Sequence, residues 1–193
     1  AMAERAHQLK DFDSPELARQ AEVAQKRALD LFDVKGTESQ SKIRHEMGQS
    51  MEEGVGIYRE EESMQKTIDT LKDLQKRLVN VGITDRGRVF NTEWMNRIEL
   101  GYTLDVAQCM VHSAINRKES RGSHQRLDGP NGAYKQRDDV NFLKHSLAFK
   151  QDGADEPRIE LSDVKITTFQ PAKRVYGAEA EAAEAARKAK EAK

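Results

Sequence analysis

Residues 92–120 carry two apolar stripes at helical spacing, on opposite sides of the helix that this spacing predicts. One stripe is formed by Met95, Ile98, Tyr102, Val106 and Cys109, and the other by Leu100, Leu104, Ala107, Val111, Ala114 and Ile115. A helix that is apolar on both sides has to be covered on both sides. Neighbouring helices can cover one stripe, so the other requires a further element, a second chain or a domain outside this sequence.

Three earlier segments also predict helices. Ser14 as N-cap and Pro15 in the first turn begin an alanine-rich helix, which we expect to end at Gly36. A second helix begins around residues 37–41, and a third follows the acidic link at residues 60–63. Their apolar positions recur every three or four residues: Ile43, Met47, Met51, Val55 and Tyr58 in the second, then Met64, Ile68, Leu71, Leu74 and Leu78 in the third.

Gly48, Gly54 and Gly56 interrupt the apolar pattern of the second helix. Each glycine inside a helix costs about 1 kcal/mol relative to alanine. Two explanations remain open at this point: a neighbouring element approaches the backbone closely, or the helix ends early.

The character of the sequence changes after Arg121, where glycines and a proline predict a loop. Residues 141–149 and 158–169 alternate and are rich enough in β-branched residues to predict a hairpin, with its turn at 150–157. Residues 177–193 are almost entirely Ala, Glu, Lys and Arg, which predicts a weakly stable helical tail.

The segments together predict a mainly α fold. Its centre is a three-helix bundle of the spectrin-repeat kind with an extra N-terminal helix, followed by a small C-terminal loop and β-hairpin. We therefore expect a helical bundle domain at residues 1–120, a closing segment at 121–177 and a charged Ala/Glu/Lys tail at 178–193.

The charge balance argues against a protein that grips nucleic acid, because 32 basic residues face 33 acidic ones. No apolar run approaches the roughly 18–20 residues that cross a bilayer.

A single cysteine, Cys109, excludes an internal disulfide and fits a reducing, cytoplasmic setting. Residues 52–62 are acidic and residues 117–144 are basic on balance; such runs are usually solvated faces, and the alternative is that they orient the chain against a larger partner.

The densest polar cluster is formed by residues 119–128 and 137–139, followed by Lys144 and His145. If the chain is extended there, His124, Arg126 and Asp128 share one face that could bind a carboxylate or carry a proton. The alternative is an ion-paired loop that fastens this segment to its neighbour. We favour the structural interpretation, because the nucleophile, second base and phosphate cradle of a complete active site are not visible.

The sequence predicts no catalytic, cofactor-binding or metal-binding residues. The five histidines show no metal-ligand spacing, and only Cys109 could add a thiolate. His112 lies in the most apolar helix and is expected to be a hydrogen-bonded core or interface residue. Gly54 and Gly56 lack the preceding strand and the third glycine of a dinucleotide-binding loop.

Four motifs are spaced along the chain: MGQSMEEGVGIYR at residues 47–59, MQKTI at 64–68, RKESRGSHQRLD at 117–128 and RDDVNFLKH at 137–145. In this order they resemble the C-terminal part of the flavoprotein subunit of fumarate reductase and succinate dehydrogenase. The ending SDVKITTFQPAKRVYG at 162–177 is more similar to bacterial quinol:fumarate reductase. The third motif also resembles aspartate oxidases, so it identifies the superfamily better than the member.

The resemblance implies that the chain is the C-terminal helical module of a fumarate reductase flavoprotein subunit. The whole enzyme would be an FAD-dependent oxidoreductase acting on a CH–CH group, which reduces fumarate to succinate in anaerobic respiration with electrons from quinol through an iron–sulfur subunit. The flavin and substrate motifs of this family lie in other domains. We therefore expect no cofactor in this chain, and no activity from the chain alone.

The implied partners are the flavin-binding domain of the same subunit, the iron–sulfur subunit and, indirectly, membrane anchor subunits at the cytoplasmic face of the inner membrane. The uncovered stripe also suggests a homodimer of the isolated chain. The residues expected to dock onto the flavin domain are Arg121, His124, Arg126, Asp128, Arg137, Asp138 and Asp139. The alternatives are the same module from succinate dehydrogenase or L-aspartate oxidase, and a standalone helical interaction protein.

Overall fold

A computed structural model describes residues 14–129, 137–151, 153–168 and 170–172, together with residues 177, 178, 181, 182 and 185. Four α-helices lie within the described residues: α1 at Pro15–Leu29, α2 at Gln40–Val55, α3 at Glu61–Leu78 and α4 at Thr92–Asn116. A short 3₁₀ turn at Asp30–Asp33 follows α1. The prediction for the tail at 178–193 falls almost entirely outside the described residues, and the division into three domains stays a prediction.

Two pairs of short strands complete the fold. Strand β1, Tyr58–Arg59, pairs in parallel with β2, Gln125–Arg126. Strand β3, Lys144–Phe149, pairs antiparallel with β4, Arg158–Asp163, in a register that places Lys144 opposite Asp163. The hairpin prediction is confirmed, and each strand is shorter than predicted. The parallel pair was not predicted, because each of its strands is only two residues long.

The core lies between α2, α3 and α4, which confirms the predicted three-helix bundle with an extra N-terminal helix. Ser39 caps α2 through a bond from the Lys42 N–H, and Asn91 caps α4 through a bond from the Trp94 N–H. The three helices meet through fully buried apolar side chains, including Ile43, Met64, Leu71, Leu74, Leu100, Leu104 and Val111.

Helix α4 is fully covered on one side and only partly covered on the other. Its second stripe, represented by Leu100, Leu104 and Val111, is fully buried in the bundle. On the other side Met95, Tyr102 and Val106 of the predicted stripe are each more than half exposed, as is the neighbouring Met110 at 50%, whereas Ile98 and Cys109 of that stripe are half-buried. This exposed stripe of α4 is the surface that the sequence predicted to need a further element, and α1 does not cover most of it.

Three predicted helix ends are wrong. Helix α2 ends at Val55, so Tyr58, which was predicted on its apolar stripe, lies in β1 and is exposed. Helix α1 ends at Leu29 rather than Gly36, because the 3₁₀ turn follows it. This turn places the Phe32 ring against the Trp94 ring, with 5.3 Å between the ring centroids. Helix α4 ends at Asn116 rather than near Ser120. Arg117 already has extended backbone angles, and its carbonyl is used by the closing segment instead of by a further helical turn.

The three glycines of the second helix have different roles. A Cβ at Gly54 would lie 2.0 Å from Thr67 Oγ1 and 2.8 Å from the Ser63 carbonyl oxygen, so α3 approaches the backbone closely there. Gly56 follows the last residue of α2 and ends it. Nothing lies within 4 Å of a Cβ at Gly48. Both explanations offered by the sequence therefore apply, at different positions.

We predict opposite effects of alanine at two glycines of the same helix. Gly54→Ala should lower the free energy of unfolding by about 2 kcal/mol, because α3 has to move away. Gly48→Ala should raise it by about 0.5–1 kcal/mol through helix propensity alone. Urea unfolding followed by circular dichroism measures both changes, and equal effects at the two positions would contradict the close approach of α3 at Gly54.

Candidate functional site

The segment that follows α4 is organised around the side chain of Arg126, which is 1% exposed. Its Nη1 donates to the carbonyl oxygens of Ile115 at 3.0 Å, Arg117 at 3.2 Å and Ala114 at 3.4 Å. These carbonyls belong to the last turn of α4, where a helix has no internal donors left and carries partial negative charge. A guanidinium at this position satisfies the orphan carbonyls and complements the helix dipole.

The same guanidinium forms a two-point ion pair with Asp128. Its Nε and Nη2 donate to the two carboxylate oxygens at 2.7 and 2.8 Å. One of these oxygens also accepts the backbone N–H of Glu61, at 2.6 Å, in the first turn of α3. Arg126 therefore faces the negative end of α4 while Asp128 faces the positive end of α3. The bond from Arg126 is the largest of the interactions that lower the pKa of Asp128 to about 2.

The parallel pairing of β1 with β2 fixes the position of Arg126 and Asp128 along the α2–α3 connection. The N–H of Gln125 donates to the Ile57 carbonyl, and that of Leu127 donates to the Arg59 carbonyl, both at 3.0 Å. The connection between α2 and α3 is thereby held against the closing segment.

His124 is buried with both ring nitrogens engaged. Its Nε2 lies 2.9 Å from the Arg117 carbonyl oxygen, and its Nδ1 lies 2.8 Å from Arg59 Nη1. A carbonyl only accepts and a guanidinium only donates, so the neutral ring protonated at Nε2 satisfies both contacts. Burial, reinforced by the surrounding arginines, lowers the pKa of His124. In this arrangement His124 has no lone pair left to act as a base.

Glu119 is the anionic centre of the site, and its side chain is 0% exposed. The guanidinium groups of Arg117 and Arg121 and the backbone N–H of Asp138 all donate to its carboxylate. Burial alone would raise the pKa of Glu119, but the bonds from Arg121, Asp138 and Arg117 outweigh it and lower the pKa. Arg117 also donates to the carbonyls of Phe142 and Lys144, which ties the hairpin to the end of α4.

The outer part of the site is a partly exposed group of charges, which we call the rim: Arg121, Arg137 and Asp139. Asp139 accepts from Arg121 at 2.8 Å and from Arg137 at 2.7 Å. Asp138 instead caps its own turn, since its carboxylate accepts the N–H groups of Val140 and Asn141 at 3.0 Å each. The seven residues named from the sequence therefore lie in one region: His124, Arg126 and Asp128 form an inner set, Arg121, Arg137 and Asp139 form the rim, and Asp138 caps its own turn beside them.

Three members of the site were not among those seven: Arg59, Arg117 and Glu119. Glu119 could have been identified from the sequence, because it is one of only two acidic residues in the strongly basic motif at 117–128. Arg59 had none, since it lies 65 residues before the histidine that it contacts. Of the other residues in the predicted polar cluster, Lys144 pairs with Asp163 at 3.1 Å and His145 is exposed on β3.

The arrangement is suited to holding elements together rather than to chemistry. Within the described part of the chain, no group of three or more His, Cys, Asp or Glu side chains could hold a metal ion. Gly54 and Gly56 stand at the end of α2, not in a turn from a strand into a helix, so they do not fit the phosphates of a dinucleotide such as FAD. The glutamate, the histidine and the buried arginine all have partners inside the chain.

We predict that the ion pair of Asp128 gives the fold a pH dependence below pH 5. Its ordinary pKa of 3.8 falls to about 2 in the folded chain, so the stabilisation is complete above 3.8 and is lost as the pH falls towards 2. With the side chain 20% exposed, solvent screening limits this contribution to about 1–2 kcal/mol.

Asp128→Asn tests this directly. The difference in unfolding free energy between the parent chain and the variant, from urea titrations at pH 2–6, should be largest at pH 5–6 and vanish near pH 2. Asp69→Asn, at an exposed carboxylate of α3, provides the matched control. A constant difference between the parent chain and Asp128→Asn across this range would contradict the assignment.

Comparison with known proteins gives consistent matches. Residues 44–176 match the family described as "Fumarate reductase flavoprotein C-term". The fumarate reductase flavoprotein subunit of a Serratia species is 60% identical over 87% of this chain and 27% of its own length. The succinate dehydrogenase flavoprotein subunit of Coxiella burnetii is 38% identical over 58% of this chain and 18% of its own length.

The fold is shared with solved structures as well. The FrdA chain of Escherichia coli quinol fumarate reductase superimposes with a TM-score of 0.81 at 54% identity, over 90% of this chain and 29% of that chain. The chain thus spans less than a third of the length of these relatives. With the family match covering more than half of its residues, the chain belongs to the C-terminal domain family of fumarate reductase and succinate dehydrogenase flavoproteins.

Proposed function

We propose that the chain is the C-terminal helical module of a fumarate reductase flavoprotein subunit and that it braces the flavin-binding part of that subunit. The whole enzyme reduces fumarate to succinate, using FAD and electrons that pass from quinol through an iron–sulfur subunit. The module contributes no group to the reaction itself. Its work is to hold a docking surface in a fixed shape.

The observation that carries this proposal is that the buried polar cluster is closed upon itself. His124 has both ring nitrogens bound, and Glu119 is surrounded by donors from its own segment. A catalytic site needs a base, acid or nucleophile that is free to meet a substrate. These side chains are engaged in fixing the end of α4, the start of α3 and the hairpin relative to one another.

Fumarate reductase is preferred over succinate dehydrogenase on sequence similarity. The Serratia fumarate reductase subunit is 60% identical over 87% of the chain, whereas the Coxiella succinate dehydrogenase subunit is 38% identical over 58%. Both reactions act on the same pair of substrates in opposite directions, so the direction in the cell is the finer part of the proposal.

The docking surface that we propose has two parts. The rim offers partly exposed charges of both signs, and the inner set formed by His124, Arg126 and Asp128 fixes the backbone beneath it. The exposed stripe of α4 supplies an apolar area of the kind that is usually covered in an assembly. The flavin-binding domain of the same subunit is the partner that we assign to both.

Further partners follow from the same assignment. The subunit would contact an iron–sulfur subunit and, through it, membrane anchor subunits, and would lie peripherally at the cytoplasmic face of the inner membrane. None of the helices in the described ranges has the length and apolarity to cross a bilayer.

A homodimer of the isolated chain through the exposed stripe of α4 stays a prediction, and light scattering tests it.

We predict that the isolated chain neither binds flavin nor reduces fumarate, yet supports both when it is part of a subunit. The purified chain should show a helical circular dichroism spectrum, no flavin absorbance and no fumarate-dependent oxidation of reduced viologen. Grafted in place of the matching segment of the Serratia flavoprotein, it should restore fumarate reduction. An inactive graft that is folded and loaded with flavin, or activity of the isolated chain, would refute the proposal.

We also predict that the rim matters only in the subunit. The double variant Arg137→Gln/Asp139→Asn removes a partly exposed ion pair, so it should change the unfolding free energy of the isolated chain by less than about 1 kcal/mol. In the graft it should lower the thermal midpoint and speed flavin loss. The control variant Glu16→Gln/Arg19→Gln removes an exposed pair on α1 and should leave both properties unchanged. Equal behaviour of the two grafts would contradict docking through the rim.

A further inference from the structure

Phe90 combines two unfavourable features. Its side chain is 96% exposed, and its backbone has a φ of +51°, which makes it the one non-glycine residue with positive φ in the described part of the chain. The left-handed conformation is costly for a bulky residue, and an exposed aromatic ring gains nothing from burial. Neither cost is offset by a contact within the described residues.

The loop around Phe90 is nevertheless fixed. Asn91 is 3% exposed, and its Nδ2 donates to the carbonyls of Asp85 and Gly87 at 2.8 Å. The carboxylate of Glu93 accepts the N–H groups of Thr84 and Asp85, at 3.0 and 2.7 Å. The strained conformation is therefore imposed by its surroundings.

Backbone strain that surrounding contacts hold in place commonly marks a functional position. A rigid loop that presents an aromatic ring to solvent is preorganised to insert that ring into a partner, because little conformational entropy remains to be lost on binding. Val89, next to Phe90, is 79% exposed and extends the apolar tip. Aromatic anchors with neighbouring arginines are the usual composition of the energetic centre of an interface.

We propose that Phe90 and Val89 are the anchor of a second interface and sit in an apolar socket with a carboxylate-rich border on the preceding, flavin-binding part of the same subunit. This inference rests on the proposed function, in that it places the chain within a longer flavoprotein. The interface is separate from the rim, since the 25 residues of α4 span about 36 Å between the loop and the closing segment.

The chemistry of the partner follows from charge. Arg86 and Arg88 are exposed on either side of Gly87, and neither makes an ion pair with a described residue. Two cations that have no ion-pair partner among the described residues, beside an apolar tip, match a socket that is bordered by carboxylates. The flavin-binding part is the occupant of choice, because the relatives are more than three times as long as this chain and a covalently linked part of the same subunit is held at high effective concentration.

The test compares Phe90→Gly in two contexts. In the isolated chain, glycine relieves the left-handed strain and should raise the thermal midpoint by about 2 °C. In the graft on the Serratia flavoprotein, loss of the anchor should lower the midpoint of the flavin-loaded subunit by several degrees and speed flavin release. Phe90→Leu keeps the strain and part of the apolar volume, and should fall between the parent and Phe90→Gly in the graft.

Arginine variants test the charged border of the socket. Arg86→Gln/Arg88→Gln should leave the isolated chain unchanged and lower the midpoint of the graft, with a smaller effect in 0.5 M salt. Arg44→Gln, at an exposed arginine of α2, is the matched control. If Arg86→Gln/Arg88→Gln leaves the thermal midpoint of the graft unchanged, or if Arg44→Gln lowers that midpoint equally, the proposed carboxylate border of the socket is wrong.

The outcomes separate the anchor from the proposed function. Activity of the parent graft reports on the proposed function, whereas the change of sign between the two contexts reports on the anchor. If Phe90→Gly raises the midpoint in both contexts, the ring is exposed in the subunit and the proposal is overturned. If the midpoint of the graft is unchanged while recovery of the iron–sulfur subunit falls, the occupant is that subunit and the assignment to the flavin-binding part is wrong.

Discussion

The position of the closing segment depends on the hydrogen bonds and the ion pair of the Arg126 guanidinium. The guanidinium binds the last carbonyls of α4 and, through Asp128, the first turn of α3, so one side chain joins the negative end of one helix to the positive end of another. A buried arginine is tolerated only when its charge and its donors are satisfied. Removing Asp128 or the helix end would leave an uncompensated charge, so the three parts are maintained together.

The residues around Arg126 and Asp128 are also joined by hydrogen bonds and ion pairs between buried polar groups. His124 links the Arg117 carbonyl to Arg59, and Glu119 gathers the side chains of Arg117 and Arg121 with the backbone of the residue-138 turn. Each of these groups has hydrogen-bond partners within the chain. These internal partners are the reason why we propose a fastening role for a cluster that has the composition of an active site. It also leaves the rim as the part that can meet another domain.

The bundle and the closing segment serve different ends. The bundle buries one stripe of α4 and leaves the other open, and a strained loop at the far end of the same helix exposes Phe90. Both features cost free energy in the chain alone, and both become favourable when a partner covers them. Rigid surfaces of this kind fit the bracing role that we propose, because rigid surfaces lose less entropy on docking.

By itself the sequence determined the helices, the hairpin, the two stripes of α4 and the family, because periodicity, caps and motif order are local properties of the chain. It also placed the seven polar residues in one region. Only the tertiary structure decided the ends of α1 and α4, the pairing of β1 with β2, the partner of His124 and the strain at Phe90. These depend on groups that are distant in sequence, such as Arg59 with His124 or Phe32 with Trp94, and no local pattern encodes such a distance.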